Sequence, residues 1–428
     1  EMLRSLVGSE MCIRDSIEDL AQFVSSSPTS YHAAANIAER LVSAGFRQLD
    51  ERKPWQSIAG KRFIVRQGAV VAWVAPDALS DEAGARIVGT HTDSPAFKVK
   101  PGELLQSAGW TQIGVEIYGG PLFNSWLDRD LGIAGRLVTT DGEQHLVQSG
   151  PICRIPQLAV HLDRGVNDAL HLDKQTHLQP ILTTVPNGGL LGHLAELAGV
   201  ERSEVAFHDL YTFDTQAPQV IGLNKEFFAS SRLDNLACTH AALVAMEHGQ
   251  PTSDVQVFAA FDHEEVGSST TSGAAGPILD DVLTRIAAGY GLDVDATRAF
   301  TARSSCISAD TGHLVHPNYP NHHDPVVRPQ PNQGPLLKLN AQQRYASDAV
   351  GTAIWMDACK RADVPTQPFV SNNAMPCGST IGPITATRLG ITTVDVGVGL
   401  LSMHSARELC GVEDPGYLSR ALGAYWAG

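Results

Sequence analysis

Asp262, His263, Glu264 and Glu265 follow one another at the end of a short apolar run in the stretch DVQVFAAFDHEEVGSSTTSG, residues 254–273. Val255, Val257, Phe258 and Phe261 show no helical period. The run reads as a strand covered on both faces, with Gly267, Ser268 and Ser269 opening the loop beyond it. A buried strand that ends in adjacent carboxylates puts them where open α/β sheets bind their ligands. Two carboxylates side by side in such a place repel, and they stay ionised only when cations compensate them. The chain holds 31 Lys+Arg against 46 Asp+Glu, and no basic residue lies close in sequence to the pair. A solvated acidic turn is the plainer reading of Glu264 and Glu265; the buried strand before them points instead to a metal.

Four more clusters of potential ligands stand at element ends: His91 with Asp93, Asp234, Asp310 and His404. Each alone is weak, since a lone histidine after a strand reads first as structural. Together they form a set. Two divalent ions about 3.5 to 4 Å apart need a carboxylate between them, a mixed histidine and carboxylate shell, and room for a shared water. The set supplies two histidines, three acidic ligands and a spare carboxylate.

The elements that must position these residues alternate between helix and strand. Residues 30 to 44 carry Tyr31, Ala34, Ile37 and Leu41 at helical spacing, with a capped start at Pro28-Thr29-Ser30 and an end at Gly45. Strand-like runs follow at Arg62 to Arg66, Ala69 to Ala75 and Arg86 to Gly89, the last leading into Thr90-His91-Thr92-Asp93. From about Lys98 to Phe228 the texture changes to hairpins. Ile113, Val115 and Ile117 alternate, Leu131 to Val138 and Gln144 to Val147 flank an Asp141-Gly142 turn, and one short helix is expected near Leu190 to Leu197. Helix–strand alternation resumes at Ser231. It comprises a helix at Leu233 to His248, the strand ending at Phe261, a helix at Pro277 to Gly289 and a strand at Ser304 to Ala309. An Ala-rich helix at Asn340 to Ala362 and a strand at Ile391 to Val398, shortly before His404, complete it. Residues 313 to 335, crowded with Pro, His and Asn, read as an ordered loop near the site. The expected organisation is therefore α/β, with residues 17–97 and 229–428 forming one catalytic domain and 98–228 a β-rich insert.

Composition sets limits on the partners. A length of 428 residues accommodates two or three domains, and a formal net charge of -15 argues against nucleic acid or an anionic membrane surface. No apolar run approaches the roughly 18 to 20 residues that span a bilayer. Seven scattered cysteines without a CxxC spacing suit a reducing compartment, so a soluble cytoplasmic protein is expected. Residues 1–16 have no signal-peptide pattern and read as a non-native or disordered leader. The Gly378 to Gly382 turn lacks the lysine of a phosphate loop, which favours contact with a substrate backbone or oxyanion.

Several motifs resemble the aspartyl aminopeptidases, family eighteen of the metallopeptidases. They are His91-Thr92-Asp93-Ser94-Pro95, Ser231-Arg232-Leu233-Asp234-Asn235, Asp262 to Ser268, Ser308-Ala309-Asp310, His316 to Tyr319, Met375 to Pro383 and Met403-His404-Ser405. Tyr118-Gly119-Gly120 and Trp126 to Leu131 extend the likeness into the insert. The resemblance implies a mixed β-sheet flanked by helices, with an inserted dimerisation domain. It implies two divalent ions per subunit, zinc foremost, with cobalt or manganese also suited to such ligands. Asp234 would bridge the ions, His91 and Asp310 would complete one site, and Glu265 and His404 the other. Glu264 would be the general base that draws a proton from a bridging water, the resulting hydroxide attacking the scissile carbonyl, and Asp93 would orient a histidine. The family also implies peptides with acidic N-terminal residues as substrates, and a dodecamer built from dimers. A neighbour's histidine reaching the site would match His161, for which a β-edge histidine is the alternative. Arg344 and Lys338 are candidate cations for an acidic side chain, and Gly378 for a backbone contact. Some members place a lysine near the position that Gln342 holds here, which weakens the case for strict acidic specificity. A carboxypeptidase or N-acyl amino acid deacylase, and a binding protein with structural metals, are the other readings.

Overall fold

Ala69–Ala75 and Val255–Phe261 are buried at every residue and lie side by side in a nine-stranded mixed sheet. The computed structural model describes residues 16–186 and 188–428, so the expected leader, Ser16 apart, lies outside the described residues. The sheet runs Arg47–Gln48, Gly60–Arg66, Ala69–Ala75, Val255–Phe261, Ala85–His91, Ser305–Ala309, Thr392–Gly397, Leu336–Leu339, Gln367–Val370. Its four central strands, Val255–Phe261, Ala85–His91, Ser305–Ala309 and Thr392–Gly397, are mutually parallel. Parallel strands end on one side, and the register aligns Phe261 with His91 and Ser308 with Gly89. Whatever follows these strands is therefore gathered along one edge.

Helices cover both faces. Along Val255–Phe261, Phe258 and Ala260 enter one core while Val255, Val257, Ala259 and Phe261 enter the other, which accounts for the nearly continuous apolar run. The first core takes Ile37 of Ser30–Ser43, Leu236 of Leu233–Glu247, Trp355 of Ala349–Ala362 and Trp426 of Asp414–Ala427. Ile278–Gly289, Val294–Ala302 and Ile381–Leu389 cover the second.

A separate sheet-rich region carries five strands in the order Gln144–Gln148, Leu131–Thr139, Val205–Asp214, Ala96–Val99, Val115–Tyr118, around a third core. The expected limits of the insert, 98 and 228, each fall inside a strand, Ala96–Val99 and Phe227–Ser230. Phe227–Ser230 pairs with Glu408–Gly411, the strand that follows His404.

Some local expectations differ from the structure. The helix expected from Asn340 begins only at Ala349, where the Asp348 carboxylate accepts the Gly351 N–H at 2.7 Å and caps it. Residues 340–348 are a turn, so Arg344 is not helical. Thr29 stands at the N-cap of Ser30–Ser43 without capping it, because its hydroxyl is bonded to His32 Nδ1 at 2.9 Å. Val294–Ala302, Leu336–Leu339 and Gln367–Val370 were not expected; the two strands have four residues each, too few to display a period.

Candidate metal centre

His91 is the last residue of its strand and is 1% exposed. Its Nε2 lies 3.4 Å from Asp310 Oδ1 and 3.5 Å from Asp234 Oδ1. On the other side of Asp234, His404 Nε2 lies 3.3 Å from Asp234 Oδ2 and 3.5 Å from Glu265 Oε2. Asp234 thus offers one oxygen to each of two groups, His91–Asp234–Asp310 and Asp234–Glu265–His404. Ligands held about 2.0–2.2 Å from a tetrahedral ion stand about 3.3–3.6 Å apart, so these spacings suit ligand shells better than direct hydrogen bonds. Asp234 Oδ1 and Glu265 Oε1 are buried and have no hydrogen-bond partner. Orphaned carboxylate oxygens at this depth are costly, and cations held by these residues would compensate their charge. The residues fit two divalent cations.

The electrostatics agree. Burial, reinforced by Asp310, Asp93 and Asp234 against the pull of His91, pushes the Glu264 carboxyl up to about 8. Burial and Asp234 likewise hold Glu265 well above the carboxylate range. Burial opposes the charge on His404, yet Asp234 and Glu265 raise it to about 10. His91 is raised in the same way, against its burial, by Asp234, Asp310 and Asp93. The cluster holds protons that a metal ion would displace.

Each side chain has a local anchor. Glu264–Val266 is a single 3-10 turn set between His263 at φ 63° and Gly267 at φ 96°. Asp93 Oδ1 accepts the Glu264 N–H at 3.0 Å and Oδ2 the Glu265 N–H at 3.1 Å, while the Tyr118 hydroxyl donates to Oδ2 at 2.8 Å. The histidine contact expected of Asp93 is made chiefly by its backbone: His91 Nδ1 is 3.1 Å from the Asp93 carbonyl and 3.4 Å from Oδ1. His263 takes no part in either ligand group, its ring being bonded to Thr270 Oγ1 at 3.1 Å. Asp234 sits where the helix Leu233–Glu247 departs from helical geometry, with φ -80° and ψ 105°. Ser94 Oγ holds the Asp234 carbonyl at 2.6 Å, and Asn235 Nδ2 reaches the Ala309 carbonyl at 2.9 Å.

The sheet-rich region contributes too. His404 Nδ1 is 3.0 Å from the Gly120 carbonyl, and the Leu122 N–H donates to the His404 carbonyl at 2.9 Å. Neither Tyr118 nor Glu408, whose carboxylate faces the backbone of this centre, was assigned a role from sequence. Glu408 makes its contact to Asp234 across 174 residues, and no local pattern signals it.

A cleft of about 440 Å³ opens over both ligand groups and is also lined by Lys338, Tyr345, Gly378 and Met403. Lys338 is 1% exposed; its Nζ lies 3.9 Å from Asp310 Oδ2 and 5.3 Å from the centre of the Tyr345 ring. Gly378 is exposed on the rim. Arg344 does not line this cleft. It faces a neighbouring groove with Asn340, Gln342 and Met375, and its Nε donates to the Cys377 carbonyl at 3.2 Å. His161 is absent from the cleft lining as well; it is exposed on residues 156–180, which form neither helix nor strand, so it is not a β-edge histidine.

Comparison with known proteins places this centre in a family context. Residues 23–426 match the family described as aminopeptidase I zinc metalloprotease (M18). The chain is 50% identical over 422 residues to a probable M18 family aminopeptidase 2 of Streptomyces coelicolor, covering 96% of this chain and 98% of that protein. It superposes on the chain in a cryo-EM structure of the Ape4 and Nbr1 complex with TM-score 0.93 at 34% identity, covering 97% and 86% of the two chains. The S. cerevisiae mApe1 dodecamer gives TM-score 0.83 at 31% identity, covering 96% and 97%. Among the described residues no helix is long and apolar enough to cross a membrane.

Proposed function

The chain belongs to the M18 family of zinc metallopeptidases, whose curated relatives are named aminopeptidases, and we propose that it is a two-metal aminopeptidase preferring acidic N-terminal residues. The observation that carries the two-metal reading is the division of the Asp234 carboxylate between two ligand groups, with Glu264 beside the first at 4.0 Å from His91 Nε2. His91, Asp310 and Asp234 would hold one ion; Glu265, His404 and Asp234 the other. When bound, such ions supply Lewis acidity: they acidify water, polarise the scissile carbonyl and take up the free α-amino group of a peptide.

The remaining work falls to the chain's own groups. Glu264 accepts the proton of the attacking water and returns it to the leaving amine. Burial of the Glu264 carboxylate beside the first ligand group, away from bulk water, leaves it free to exchange that proton with the reacting atoms. Asp93 and Tyr118 hold the turn that aims Glu264. Gly378 on the rim leaves room for the substrate backbone, and Lys338 is the cation of the cleft that faces an acidic side chain.

The domain assignment, 17–97 with 229–428 around an insert of 98–228, belongs to the same proposal. So do a dodecamer like that named for mApe1 and a cytoplasmic location, which free cysteines support. His161, exposed on its loop, is the residue proposed to enter the site of a neighbouring copy in such an assembly. Zinc is the proposed metal, cobalt and manganese being compatible with the same ligands.

The test is turnover of aspartyl and glutamyl anilides with and without an N-acetyl block, in the presence of zinc. Faster release from the unblocked compounds supports an aminopeptidase. Faster release from the blocked ones would make the protein a deacylase.

A further inference from the structure

Glu408 is 2% exposed and faces two backbone N–H groups from distant parts of the chain. Its Oε2 accepts the Asp234 N–H at 2.9 Å, and its Oε1 accepts the His404 N–H at 2.7 Å. Strand pairing sets this up: Glu408 is opposite Ser230 in the ladder that joins Phe227–Ser230 to Glu408–Gly411. One carboxylate therefore links the residue common to both ligand groups with the histidine found only in the second.

The two ligand groups depend on this link unequally. His91 ends a central strand and Asp310 directly follows another, so the sheet itself fixes them. Besides Glu408, Asp234 has the Ser94 hydroxyl on its carbonyl, and the next residue, Asn235, is tied to the Ala309 carbonyl. His404 lies in a turn at φ 65°; Gly120 and Leu122 of the sheet-rich region meet its ring and its carbonyl, and Glu408 is the acceptor for its backbone N–H that ties it to Asp234. An ionised carboxylate can accept at both oxygens. An amide offers one acceptor and turns an N–H₂ toward the other donor.

We propose that Glu408 is a positioning residue that sets the spacing between Asp234 and His404 and so governs affinity for the ion held by Asp234, Glu265 and His404. The inference rests on the two-metal reading. Loss of an outer partner of a metal ligand commonly weakens binding about 10- to 100-fold, and here the loss falls on one ion.

The experiment is equilibrium dialysis of the metal-free full-length protein against graded zinc, with bound zinc per subunit read by plasma mass spectrometry. Wild type, Glu408→Gln and Glu408→Asp are compared. The wild type takes up two ions. Glu408→Gln binds the first within about threefold of wild type and the second about 10- to 100-fold more weakly. Glu408→Asp keeps the charge and one of the two contacts, and its second ion falls between these values. Two ions held by Glu408→Gln as tightly as by wild type would overturn the inference alone. Equal weakening of both ions in both variants, the mark of a general loosening, would also overturn it. A wild-type stoichiometry of one would overturn the two-metal reading and this inference with it.

Discussion

Asp93 grips the backbone of Glu264, its Oδ1 accepting the Glu264 N–H at 3.0 Å while Oδ2 takes the next N–H, from Glu265, at 3.1 Å. The carboxylate that follows one strand end thus orients the proposed base on the neighbouring strand end. In Asp93→Asn one of those two N–H groups meets an amide N–H₂ instead of an acceptor. The kcat for an unblocked aspartyl anilide is expected to fall about 10- to 100-fold at saturating zinc. A variant with wild-type kcat would show that this grip has no catalytic consequence.

Gly119 connects the sheet-rich region to the centre. It lies at φ 71°, and a Cβ there would stand 3.1 Å from Glu265 Cβ. Gly119→Ala forces a side chain into left-handed backbone, at a cost of about 1–2 kcal/mol, and crowds a proposed ligand. Urea denaturation should register the loss of stability and metal analysis a lower zinc content. Wild-type values for both would mean that the centre yields freely at this point.

The metal-free protein should lose stability as pH rises. Glu264 is lifted from 4.5 to about 8 and His404 from 6.5 to about 10. Groups whose folded pKa lies above the unfolded one hold extra protons in the native state. Their stabilisation is complete below the unfolded values and disappears as pH climbs through the folded ones. Asp234, held low against its burial by His404 and His91, works in the opposite direction at acid pH. The melting temperature of chelated protein is therefore expected to drop between about pH 5.5 and pH 9, and added zinc should raise it most at the alkaline end, where protons compete least. A chelated melting temperature that climbs over this range would contradict the arrangement of charges.

Lys338 lines the cleft and Arg344 the adjoining groove, so the two cations should differ in effect. Replacing the cation that meets an acidic side chain removes a charged contact of about 1.5–3 kcal/mol, equivalent to about 10- to 100-fold in kcat/KM. Lys338→Met is expected to lose that much on aspartyl relative to leucyl anilide, and Arg344→Ala less than about threefold. The reverse order would move the selective cation to Arg344.

Much of the framework was legible in the sequence for a physical reason. A strand buried on both faces, such as Val255–Phe261, must be apolar along its length, and polar residues directly after it are conspicuous. His91 and Asp310 stand out in the same way. Contacts that join distant segments leave no such trace. Glu408 reaches Asp234 through strand pairing, and Tyr118 reaches Asp93 from another sheet. The helix expected from Asn340 was misplaced because helix-favouring composition does not mark a start; the cap at Asp348 does. Arg344 and Lys338 were both candidate cations for an acidic side chain, but Lys338 stays on the strand Leu336–Leu339 while the turn after it carries Arg344 into the next groove.

The measurement closest to the central claim is turnover by Glu264→Gln on an unblocked aspartyl anilide, with zinc counted in the same sample. The side chain belongs to neither ligand group, so the variant should retain two zinc ions per subunit. Its kcat should fall about 10²- to 10⁴-fold. Turnover within twofold of wild type, with the zinc in place, would contradict the assignment of Glu264 as the base.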